Sequence, residues 1–129
     1  MGDGGDFIGL PDTVLWQRAL KFYRAHDWFM VHEVLEVLWK RSSGNDAEFY
    51  QAFLQAAVSL YHYANANFSG ARTLAKSAIS RFADLPAGFH GVDVHGFLNQ
   101  FEALMSPIIN GVQGLRPLDA SMAPKIQSP

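Results

Sequence analysis

Residues 48–64 read EFYQAFLQAAVSLYHYA, and a helix drawn through them has no wholly polar side. Phe49, Ala52, Phe53, Ala56, Ala57, Leu60, Tyr63 and Ala64 spread apolar groups around its circumference. A helix apolar on every side is one that other helices enclose, since only there are all its faces out of water. The pattern therefore predicts a central helix over about 46–66, and the rest of the chain must supply its neighbours.

Immediately upstream, Trp28, Val31, Leu35, Leu38 and Trp39 form one stripe that ends at Lys40, with Asp27 placed to cap the first turn. Further back, Leu15, Ala19, Phe22 and Tyr23 recur at helical spacing over about 12–25, after a Pro11-Asp12 start in which Asp12 is the expected cap. Between the second and third helices lies RSSGND, where Asn45 and Glu48 have the spacing of a capping box. Downstream, NANFSGA breaks and restarts the chain: Asn67 reads as a turn residue and Gly70 as a point of close approach. A fourth helix over about 69–84 carries Ala71, Ala75, Ala78 and Phe82 on one face and stops before Pro86. After the loop PAGFHGVD, Asp93 caps a fifth helix that runs through Phe97, Phe101 and Met105 to Pro107. The expectation is an all-α fold, a compact array of about five helices forming one domain over 11–109. Residues 1–10 read as a loose segment and 110–129 as an irregular Pro-, Gly- and Ser-rich tail. No period-2 strand, internal repeat or glycine-rich phosphate loop is expected.

Composition narrows the functions open to such a domain. With 129 residues, 49% apolar and 17% charged, the chain suits a single globular core. A net charge of −2 with scattered Lys and Arg gives no electrostatic footprint for nucleic acid. There is no cysteine, so disulfides and thiolate metal sites are excluded. The acidic start MGDGGDFIG and the lack of an apolar span predict a cytoplasmic protein with no membrane partner.

Chemistry, if present, is expected where the second and third helices meet. At about 100° per residue, His32 falls between Trp28 and Trp39 near the centre of the apolar stripe, and Glu36 about 40° further round. Glu33 points to the opposite side. On the third helix Gln51, Gln55 and His62 form a polar row within about 40° of arc. A polar group buried without a partner costs about 1–3 kcal/mol, so the row is expected to face His32 and Glu36. One outcome is a closed hydrogen-bond network that sets helix register. The other is a chemical site. His32 and Glu36 at i and i+4, joined by His62, offer ligands for a divalent metal such as zinc, iron or manganese, or else an acid–base set. Gln51 and Gln55 would then position substrate, with Trp39 as a wall. Asn67 would sit beside freed amides that can take an anion. HEVLE is neither the HExxH zinc motif nor the ExxH of di-iron bundles.

The order AHDWFMVHEVLEVLWK (25–40) followed by FYQAFLQAAVSLYHYANANFSGARTL (49–74) resembles the family known as domain of unknown function 309. His32, Glu33, Glu36, Trp39, Gln51, Gln55, His62, Asn67, Gly70 and Ala71 carry the resemblance, which covers about 15–85. Phe53 departs mildly from the Gly-Leu-Ile-Gln type of stretch expected there. The resemblance implies a compact helical domain of prokaryotes and plastids whose function is not established. Some members are labelled predicted metal-dependent hydrolases on the strength of the same His/Glu cluster. The expectation is thus a metal-dependent hydrolase with a small-molecule substrate. Its alternatives are a small-molecule or anion-binding domain, or a structural helical protein. Phe7 and Ile8 are taken as the apolar residues on which a homodimer would rest.

Overall fold

In a computed structural model, which describes residues 7–129, five helices lie wholly within the described residues: α1 (Asp12–Arg24), α2 (Trp28–Lys40), α3 (Gly44–Ala64), α4 (Phe68–Ala83) and α5 (Val94–Ile109). A two-residue antiparallel hairpin, β1 (Gly88–Phe89) with β2 (Val92–Asp93), joins α4 to α5, and one 3-10 turn spans Ala120–Met122. α3 lies between α2 and α4, as its all-round apolar sequence requires. α1 packs on α2, and α5 on α4. Phe97 of α5 closes the core, with its ring centroid 4.8 Å from Phe53, 5.3 Å from Phe82 and 6.2 Å from Tyr23.

An unforeseen repeat organises the first four helices. The α1–α2 and α3–α4 turns have the same backbone. Each passes through a left-handed residue, His26 at φ 60° and Ala66 at φ 59°. Each then reaches a capping residue, Asp27 or Asn67, whose side chain accepts from the amide three positions on. Before the cap, Asp27 N–H donates to the Phe22 carbonyl at 2.9 Å and Asn67 N–H to the His62 carbonyl at 2.8 Å. These bonds satisfy carbonyls that a helix C-terminus leaves free. The first four helices are thus two successive helical hairpins with one turn chemistry, although the sequence of each turn shares little with the other.

Several local expectations are corrected. Pro11, not Asp12, is the N-cap of α1, and Asp12 instead pairs with Arg41 at 3.1 Å. α3 begins at Gly44, whose φ of 59° suits glycine, and no side chain caps it. The Asn45/Glu48 capping box does not form, because Glu48 is drawn to Arg81 on α4. α5 runs two residues past Pro107. The loop expected at 86–93 contains the hairpin, whose two turn residues, His90 and Gly91, both have the positive φ of a tight two-residue turn.

The two ends of the domain also differ from expectation. Of the segment read as loose, residues 1–6 lie outside the described residues. Phe7 is buried, and Arg41 donates to the carbonyls of Leu10 and Ile8 at 2.8 and 3.1 Å. Phe7 is therefore core, whereas Ile8 is exposed. The segment from 110 is irregular but packed. Leu118 N–H reaches the Tyr63 carbonyl, the Tyr23 hydroxyl donates to the Pro124 carbonyl, Lys125 N–H to Gln100 Oε1, and Asp93 N–H to the Gln127 carbonyl. No helix among the described residues is long and apolar enough to cross a membrane.

Candidate functional site

The buried face of α2 is Trp28, Val31, Val34, Leu35 and Leu38. Val34 and Leu38 pull the centre of that arc away from His32, so the histidine sits on its flank with its side chain 27% exposed. Trp39, expected to wall a pocket, is 37% exposed. His32 Nε2 lies 3.5 Å from Glu36 Oε2, and His32 Nδ1 lies 3.5 Å from Glu33 Oε1. Glu33, which the helical wheel sends to the far side, thus reaches back to the ring. At this separation the contacts are electrostatic, too long for firm hydrogen bonds. Glu36 also meets Lys40 Nζ at 3.2 Å.

Two residues that the polar pattern did not single out sit beside this group. Phe29, one turn before His32, lies 6.0 Å from its ring and 6.1 Å from Tyr61 of α3. Tyr61 in turn lies 5.9 Å from His62. Phe29 and Tyr61 are 49% and 40% exposed. Their signal in sequence was the helical offset of Phe29 from His32. Which ring of α3 would meet it depended on how the two helices cross.

The row Gln51–Gln55–His62 does not close on α2. Gln55 Oε1 accepts from Arg81 Nε at 3.1 Å, and Arg81 Nη1 also bonds Glu48 at 2.8 Å, so this part of the row clamps α3 to α4. Gln51 Oε1 is buried with no hydrogen-bond partner among the described residues. His62 Nδ1 meets Asn67 Nδ2 at 3.2 Å, while Asn67 Oδ1 accepts from Gly70 N–H at 3.1 Å. Since the Asn67 oxygen is committed to the Gly70 amide, its NH₂ faces the ring. Neutral His62 therefore carries its proton on Nε2. Gly70 is needed for this approach, because a Cβ there would lie 2.7 Å from Asn67 Nδ2 and 3.0 Å from His62 Cδ2.

Among the described residues no group of three or more His, Asp or Glu could hold a metal ion. The ligand set His32, Glu36 and His62 is therefore not assembled: the first two face solvent on α2, and the third is engaged by the α3–α4 turn. What the arrangement offers is a surface. An aromatic pair bridges two helices, with an imidazole and two carboxylates on its α2 side.

Comparison with known proteins bears on this surface. The family model for a domain of unknown function (DUF309) matches residues 16–74, which run from α1 into α4 and include every residue of the α2–α3 face. The chain is similar to the uncharacterized protein YpuF of Bacillus subtilis (strain 168), with 34% identity over 61 residues. That alignment covers 46% of this chain and 35% of YpuF, so the match spans about a third of the relative's length. No solved structure matches. The match to the DUF309 family model over residues 16–74 thus takes in the helices and the turn that build the candidate face, somewhat under half of the chain.

Proposed function

We propose that the chain is a binding domain whose α2–α3 face docks a partner segment presenting an apolar side chain beside a cationic group. The carrying observation is the solvent-exposed Phe29–Tyr61 pair, with ring centroids 6.1 Å apart, next to His32, Glu33 and Glu36. Two adjacent rings left in water form the kind of apolar patch that a partner covers. The neighbouring carboxylates and the ring faces both favour a positive charge there. A cysteine-free composition is compatible with a cytoplasmic setting for such a module.

The test is an NMR titration of the full chain with a short Leu/Arg amphipathic peptide and its Leu/Glu counterpart. The cationic peptide should perturb Phe29, His32 and Tyr61, and Phe29→Ser with Glu36→Gln should abolish the effect. Equal responses to both peptides, or perturbation confined to other helices, would sink the proposal.

Metal-dependent hydrolysis is a second reading, favoured by the His32–Glu36 pair on one helix face. His32 Nε2 and Glu36 would hold a divalent ion, and Glu33 would orient the ring through Nδ1. Two donors fall short of the three protein ligands of a catalytic zinc site. Elemental analysis of protein purified without chelator decides this reading. Near-stoichiometric zinc, iron or manganese that is absent from His32→Ala would restore it.

A further inference from the structure

A cleft of about 530 Å³ lies between the C-terminal half of α1 and residues 120–127, well within the size range of small-molecule sites. Leu20, Ala123, Pro124 and Ile126 give it an apolar lining. Its charged and titratable lining residues are Tyr23, Arg24, His26 and Lys125, and among the described residues no Asp or Glu lines it. Neither Arg24 nor Lys125 has an ion-pair partner among the described residues, on a chain whose net charge is −2. Of the acids next in sequence to the lining residues, Asp27 caps α2 and Asp119 accepts from Ser121 N and Oγ at 3.0 and 2.7 Å. The walls are held in place before any ligand arrives. Tyr23 donates to the Pro124 carbonyl, Lys125 N–H is bound by Gln100, and Gln127 by Asp93.

We infer that this cleft binds an amphipathic organic anion, an apolar body carrying one carboxylate-type headgroup. The body lies on Leu20, Pro124 and Ile126, and the headgroup is held by Arg24 and Lys125, with His26 beside them. An apolar lining with Arg24 on one wall and Lys125 on the other, neither of them ion-paired among the described residues, selects that chemistry over a neutral or cationic ligand, because charge-assisted bonds are stronger than neutral ones. The inference is independent of the α2–α3 face. The cleft is completed by residues 120–127, outside the segment that matches the family.

Isothermal titration of the full chain with decanoate, decanol and decyltrimethylammonium tests it. Decanoate should bind saturably at one site, with the other two at least about tenfold weaker. Lys125→Gln and Arg24→Gln, both at exposed positions, should each weaken decanoate by about tenfold while circular dichroism and Tm hold steady. NMR shifts should map to Leu20, Pro124 and Ile126. Equal binding of decanol, unchanged affinity in both variants, or shifts mapping to Phe29 and Tyr61 would overturn the inference.

Discussion

Asn67 engages both ends of its amide, one on the Gly70 N–H and the other on His62, and this explains why position 70 is glycine. Gly70→Ala would force a methyl group to 2.7 Å from Asn67 Nδ2 and should cost about 1–3 kcal/mol, in the range of overpacked sites, as read by urea unfolding. Glu36 is the contrasting case. Half in water, and paired with Lys40 and His32 among the described residues, it contributes at most what a surface ion pair does. Glu36→Gln should therefore shift stability by about 0.5 kcal/mol or less. A loss of several kcal/mol would mean that Glu36 anchors a buried network after all. At this scale the sequence was legible where a side chain bonds its own neighbourhood: the Asp27 and Asp93 caps, the turn at Asn67 and the close approach at Gly70 were all readable from short-range spacing. It was not legible for Asn45 and Glu48, where a distant arginine competes for the carboxylate and wins.

At the scale of the element, the two hairpin turns carry the sharpest lesson. Both place a side chain in left-handed conformation, which glycine adopts without penalty and alanine does not. Ala66→Gly should raise stability by about 1 kcal/mol, visible as a higher Tm, because Ala66 is exposed and loses no packing. An unchanged or lower Tm would show that the left-handed turn carries no strain. The repeat escaped the sequence because turn geometry here is enforced by a 6→1 backbone bond and an Asx cap, which Ala-His-Asp and Asn-Ala-Asn satisfy equally well. Helix identity and order were readable throughout, since apolar spacing within one helix needs no knowledge of its partners.

Across the whole molecule, α1 and the C-terminal segment are tied by Tyr23, and α1 approaches α3 through the rings around Tyr50. Burial raises the Tyr23 phenol well above its ordinary value. Tyr50 is raised too, by burial first and then by the charges of Asp12 and Asp46. A phenol whose folded value is raised holds its proton in the fold after the unfolded chain has lost it. Stability from both tyrosines is thus complete below the ordinary value of 10.0 and declines as pH rises above it. Thermal unfolding followed upward from about pH 8 should show Tm falling only on the alkaline side of the phenol range, and Tyr50→Phe should flatten part of that fall. A steady Tm to strongly alkaline pH would contradict the burial of both rings. By itself the sequence determined the helices, the Asp27 and Asp93 caps, and the central place of α3, because these follow from bonds and apolar periodicity local to each segment. Only the tertiary structure decided that Gln55 faces α4, that His32 lies at the edge of the core, and that residues 110–129 complete a cleft. A helical wheel assigns directions around one axis. Which of those directions a neighbour covers depends on crossing angle and on how the remaining apolar area is best buried.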